Sequence, residues 1–188
     1  YSIHGVDHME TGRFDRDPVP SFETLVRRYA EAVHSTDENV GRVVKQLEEL
    51  GLRENTLILF TGDNGTGVQV TTRFKGADYK GGKGTRTARG NHVPLIANWP
   101  GRVPAGRVND DLVCSTDFLP TLCEAVGTEV PAALAIDGRS FLPQLLGRSG
   151  QPRDSYYMGY ARNGGRNASF EFAQGRTVKL FRDGTAYD

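Results

Sequence analysis

Residues 56–65 read TLILFTGDNG, a short apolar run that ends abruptly in Gly62-Asp63-Asn64-Gly65. Apolar runs of this length bounded by turn residues are expected as buried strands. Asp63 and Asn64 then fall just past the strand's carboxyl end, the place where open α/β sheets bind ligands. A carboxylate beside a carboxamide offers hard oxygen donors, which suit Ca²⁺ or Mg²⁺ better than a soft metal. The same dipeptide step is also a strong turn signal, either a type I′-like or an Asx turn. Two residues supply only part of a Ca²⁺ shell, which takes roughly six to eight oxygens.

Upstream, apolar residues recur in steps of three and four from Phe22 to Leu50, through Leu25, Val26, Tyr29, Val33, Val40, Val43, Val44 and Leu47. That spacing predicts one long amphipathic helix, with a bend near Ser35-Thr36, Ser21 as N-cap and Gly51 as its stop. A helix followed by an apolar strand suggests half of a crossover unit in a parallel sheet. Residues 1–20 carry Gly5, Gly12, Pro18 and Pro20 and are expected as loop.

Downstream, residues 62–92 hold eight glycines and show little apolar periodicity. A loop this long in a compact domain is usually functional or disordered. Within it, Gly81-Gly82-Lys83-Gly84-Thr85 can present an ammonium and backbone N–H groups to an anion. The spacing is not that of a nucleotide P-loop, and a basic surface loop is the alternative reading. Val93 to Trp99 is expected as a second strand closed by Pro100-Gly101. Residues 117–126 are expected as a short helix with Ser115 or Thr116 near its N-cap, and 140–146 as another. Beyond about residue 150 short strands are expected at 156–160, 168–172 and 177–181, with Asp183-Gly184 as a hairpin turn. The domain reading is 1–150 for an α/β part and 151–188 for the start of an antiparallel one.

The 188 residues carry 23 Lys+Arg against 23 Asp+Glu, so bulk charge gives no support for a nucleic-acid or anionic-membrane partner. No apolar run approaches a membrane span. Cys114 and Cys123, nine positions apart, fit neither a zinc pair nor a preferred disulfide and are expected as thiols. Of four histidines, His34 lies inside the predicted helix, while His4, His8 and His92 lie in predicted loops where they could face a site. No Ser occupies a G-x-S-x-G elbow. The glycosylation patterns at Asn64 and Asn167 carry no weight.

Taken together, these segments resemble the sulfatase family of the alkaline-phosphatase-like superfamily. RRYAEAVHSTDENVGRVVKQLEELGLRENTLILFTGDNG is similar to the family's helix, strand and metal turn. GGKGT followed by HVPLIANWPGRV is similar to its sulfate-contacting lysine and next strand, and CSTDFLPTLCEAVG to the helix after it. TVKLFRDGTAYD resembles the start of its small C-terminal antiparallel sheet. The resemblance implies an α/β fold with a mostly parallel sheet flanked by helices. It implies that Asp63 and Asn64 are the second pair of calcium ligands, with Mg²⁺ as the alternative ion, and that Lys83 contacts the sulfate group and leaving oxygen. His4 matches an upstream family histidine, with His8 as its rival.

Departures from the family pattern are also present. Ala88-Arg89-Gly90 and His92 stand where many sulfatases carry E-G-G and an Arg. The family's formylglycine nucleophile arises within C/S-x-P/A-x-R, and no segment of these 188 residues fits it. The chain thus resembles the C-terminal portion of a sulfatase catalytic domain, and on its own it is expected to have little or no activity. Formylglycine is expected in the parent protein. A zinc phosphodiesterase or phosphatase of the same superfamily is the alternative enzyme class, although those place His where Asn64 stands. A non-catalytic fragment or binding module is the third reading. A sulfate-ester substrate, self-association through surfaces exposed by truncation, and a periplasmic, secreted or lysosomal location complete what the resemblance implies.

Overall fold

The computed structural model describes residues 21–161 and 170–187. The described residues divide into two compact units, one of 21–45 and 63–93, the other of 46–62, 94–161 and 170–187.

Helix α1 runs unbroken from Phe22 to Glu49. Ser21 caps it as expected: its Oγ accepts the Thr24 N–H at 3.3 Å and its carbonyl accepts the Leu25 N–H. At the far end Gly51 adopts φ +66°, and Gly51 and Leu52 return their N–H groups to the carbonyls of Glu48 and Leu47. This is a Schellman stop, and only glycine enters it without a Cβ penalty. Near the expected bend, the Thr36 hydroxyl donates to the Ala32 carbonyl at 2.8 Å and the helix continues. No α1 residue is buried among the described residues.

In the first unit, the glycine-rich stretch holds more structure than its composition suggests. Strands β2 (Thr71–Phe74) and β3 (Ala77–Lys80) form an antiparallel hairpin, and Ala88–Asn91 forms the short helix α2. Lys75 and Gly76, at φ +50° and +82°, make the two-residue turn. Positive φ at both positions matches the right-handed twist of the flanking strands.

In the second unit, β1 (Ile58–Thr61) pairs with β4 (Leu95–Asn98). The pairing is antiparallel, Ile58 opposite Asn98 and Thr61 opposite Leu95, whereas the helix-then-strand order suggested a parallel neighbour. Sheets of α/β proteins commonly carry an antiparallel strand on an otherwise parallel framework. Trp99, buried at the end of β4, donates its indole N–H to the Glu54 carbonyl at 3.1 Å, and the Arg102 guanidinium lies over its ring at 4.6 Å. Arg53 reaches from the 3₁₀ turn Arg53–Asn55 to the Asn98 side chain.

Helix α3 (Phe118–Ala125) has Asp117 as its N-cap, just past the expected Ser115 or Thr116, which lie in the preceding 3₁₀ turn Ser115–Asp117 capped by Cys114. Helix α4 spans Leu142–Leu145. Both cysteines are free thiols. Asp117 sits almost wholly buried at the root of α3. Its carboxylate accepts N–H groups from Cys114 and Arg139 and pairs with the buried Arg153 guanidinium, which also reaches the Asp137 carbonyl. Burial pushes the Asp117 carboxyl up. The Arg153 hydrogen bond, the two backbone N–H groups and the Arg153 charge outweigh it and hold the carboxyl below its usual range.

The chain closes in a four-stranded antiparallel sheet, β5 (Ser155–Tyr160), β6 (Phe170–Gly175), β7 (Lys179–Phe181) and β8 (Ala186–Tyr187), in sequential order. Phe172 and Phe181 are its buried centre, with rings 5.6 Å apart. The Lys179 ammonium lies 4.0 Å from the Phe172 centroid. β8 follows the expected Asp183-Gly184 turn and pairs antiparallel with β7.

Candidate functional site

Asp63 and Asn64 follow β1 directly in the chain. The Asn64 side-chain amide donates to Asp63 Oδ2 at 2.6 Å. That contact leaves Oδ1 of each residue without a hydrogen bond among the described residues. Asp63 is exposed and Asn64 half-buried.

The lysine loop is tied to this turn by main-chain bonds. The Gly65 N–H donates to the Gly90 carbonyl and the Lys83 N–H to the Thr66 carbonyl, each at 2.9 Å. The Tyr29 hydroxyl adds a 3.2 Å bond from α1 to the Thr66 hydroxyl. Glycines make this approach possible. A Cβ on Gly65 would stand 1.8 Å from the Arg89 carbonyl oxygen, and one on Gly81 would stand 2.2 Å from that of Gly67. No real Cβ survives such distances, so three segments, 65–67, 81–83 and 89–90, pack backbone against backbone. Lys83 is exposed, and no side-chain hydrogen bond or ion pair holds its ammonium among the described residues.

The histidines separate. His92 is exposed and caps α2, its N–H bonded to the Ala88 carbonyl. His34 sits on the exposed side of α1 within 3.5 Å of Glu38, a local surface pair. His4 and His8 lie outside the described residues. The sequence marked Arg89 only as a departure from the family pattern and did not single out Tyr79. The Arg89 guanidinium lies 4.9 Å from the Tyr79 ring centroid, and its Cβ packs against Gly82, the neighbour of Lys83.

A hard cation fits this donor set as far as it goes. One carboxylate and one carboxamide are oxygen donors of the type such ions take. No group of three or more His, Cys, Asp or Glu assembles among the described residues, so further oxygens would come from elsewhere. The turn and the lysine loop thus present two side-chain oxygen donors and an exposed ammonium on segments joined by main-chain bonds.

An α/β chain with a small C-terminal antiparallel sheet has the alkaline-phosphatase-like fold of its structural neighbours. The chain belongs to the sulfatase family: the family model "Sulfatase" matches residues 7–128, and that of "N-sulphoglucosamine sulphohydrolase, C-terminal" matches 87–179. It is 33% identical to the steryl-sulfatase of Mus musculus over 81% of this chain and 25% of that protein. It is 38% identical to the N-acetylgalactosamine-6-sulfatase of Sus scrofa over 70% of this chain and 26% of that one. Among solved structures it is similar to Ps i-CgsB in complex with k-i-k-neocarrahexaose, at a TM-score of 0.68 and 29% identity, covering 83% of this chain and 34% of that one. The chain spans about a quarter of the length of the curated relatives it matches.

Proposed function

We propose that this chain forms part of a calcium-dependent sulfatase that hydrolyses a sulfate ester. Asp63 and Asn64 would supply two oxygens of the metal shell, and the ion would neutralise charge on the sulfate group. Lys83 would stabilise negative charge that develops on the sulfate and the leaving oxygen. The observation that carries the reading is the Lys83–Thr66 main-chain bond, which anchors the lysine loop two residues beyond Asn64. The sulfatase relatives support the reaction class. The nucleophile would come from the rest of the parent protein, since no C/S-x-P/A-x-R occurs in these residues.

The choice of calcium over a zinc pair rests on Asn64, because a carboxamide is a poor zinc ligand beside His or Cys. By the same family resemblance the parent protein would work in the periplasm, outside the cell or in the lysosome. No helix among the described residues is long and apolar enough to cross a membrane.

The deciding experiment uses the intact enzyme that carries this segment. Lys83→Ala is expected to lower kcat on an aryl sulfate by about 10²- to 10³-fold, as for loss of a transition-state charge partner. Metal analysis is expected to return calcium, with Asp63→Ala losing it. Stoichiometric zinc, or full activity in Lys83→Ala, overturns the proposal.

A further inference from the structure

The β2–β3 hairpin carries a feature that hydrolysis itself does not require. Phe74 and Tyr79 are 58% and 43% exposed and meet edge to face with centroids 5.9 Å apart. The hairpin register places both on one face, since Phe74 opposes Ala77 and Tyr79 opposes Thr72. A cation closes each end of the pair: Lys75 Nζ lies 5.3 Å from the Phe74 centroid, and the Arg89 guanidinium 4.9 Å from that of Tyr79. The result is a cation–aromatic–aromatic–cation stripe. It is joined to the lysine loop through Arg89, which packs on Gly82 next to Lys83.

Two further observations bear on it. The chain as a whole is electrically neutral, yet residues 71–90 hold six Lys or Arg against one carboxylate, Asp78. The turn also holds Lys75 at φ +50°, where Asn would be the less strained residue. A lysine kept in a left-handed turn at the tip of an exposed hairpin keeps its charge there at a conformational cost.

We infer that this stripe binds a sulfate-bearing sugar ring of an anionic polysaccharide, next to the ring whose ester is cleaved. The inference rests on the sulfate-ester reading above. Exposed aromatic faces offer apolar area to the C–H face of a pyranose, and the flanking cations meet its sulfates in charge-assisted contacts. A small aryl or steroid sulfate has no second charged ring for the stripe to hold. The rest of the chain, with 17 Lys or Arg against 22 Asp or Glu, adds no net positive charge to the stripe, which favours a sulfated sugar over a nucleic acid.

The test measures binding of the 188-residue chain by calorimetry to a sulfated galactan hexasaccharide, its desulfated counterpart and a single-stranded DNA of equal charge. The sulfated sugar is expected to bind, the desulfated one not, and the DNA several-fold more weakly. Lys75→Asn removes the tip charge while relaxing the turn, so it is expected to weaken sugar binding roughly three- to tenfold with hairpin amides as protected as before. Phe74→Ala is expected to weaken sugar binding by a similar factor and leave DNA binding unchanged. Wild-type affinity in both variants, or DNA binding as tight as the sugar, overturns the inference. In the intact enzyme the two variants should raise KM for the hexasaccharide and leave turnover of a small aryl sulfate alone. Release of sulfate with an unchanged KM sinks this inference only. An intact enzyme that cleaves no sulfate ester, while the chain still binds the sugar through the stripe, sinks the functional reading only.

Discussion

The main-chain N–H of Lys83 donates to the carbonyl of Thr66 at 2.9 Å. A residue in one glycine-rich loop is thereby fixed to the backbone two positions after Asn64. The anchor uses no side chain, so it holds the Lys83 backbone in place and leaves the exposed ammonium out of the bond.

Gly65→Ala should break this arrangement. A Cβ 1.8 Å from the Arg89 carbonyl cannot be relieved by a rotamer change, so backbone must shift. The expected cost is about 1–3 kcal/mol, the range for overpacking a tight contact. Amide exchange at Lys83 and Gly65, the two donors that tie the loops, should accelerate together.

Gly41→Ala should act in the opposite direction. Gly41 lies inside α1, and nothing stands within 4 Å of the Cβ it would gain. Alanine is favoured over glycine in a helix interior by about 0.5–1 kcal/mol. Slower amide exchange along Phe22–Glu49 is the readout, and faster exchange would contradict the helix described above.

Asp117→Asn should destabilise the second unit severely. It leaves the buried Arg153 guanidinium without its counter-charge, and breaking a buried pair from one side costs about 3–5 kcal/mol. Trp99, the single tryptophan, reports unfolding of that unit by fluorescence in urea.

The pH dependence of that difference has a fixed sign. The Asp117 carboxyl titrates lower in the folded chain than its ordinary value, so its stabilisation is complete above the unfolded pKa of about 3.9. It is lost as pH falls through the lower folded value. The gap between wild type and Asp117→Asn should be constant near neutrality and shrink as the pH drops below about 4. A gap that widens in acid would show that the Asp117 pair is not what stabilises the root of α3.

Much of this was legible in the residues. α1 announced itself because ten apolar positions keep a helical period and both ends carry cap residues, Ser21 and Gly51. β1 and β4 were legible as strands to within two residues at either end, but not their antiparallel pairing, since a four-residue apolar run encodes no direction. The β2–β3 hairpin was missed because Thr71–Phe74 and Ala77–Lys80 lack apolar alternation and their turn is Lys-Gly rather than Asn-Gly. Thr71, Thr72, Phe74 and Tyr79, all strand-favouring, were the available signal. Asp117 and Arg153 are 36 positions apart, and nothing local marks either as the other's partner. Asp63, Asn64 and Lys83 were proposed from motif, and the structure adds the backbone bonds that connect their loops.

The backbone-on-backbone packing of segments 65–67, 81–83 and 89–90 has a consequence for anyone redesigning the protein. Because glycines let these segments pack backbone to backbone, with Arg89 over Tyr79 as a side-chain link to the hairpin, the hairpin is a cassette whose ends are anchored in main chain. Residues 71–80 can be exchanged for a loop of different length or charge without re-registering Lys83. A library confined to that cassette would vary the hairpin's length and charge and leave the main-chain anchor of Lys83 unaltered.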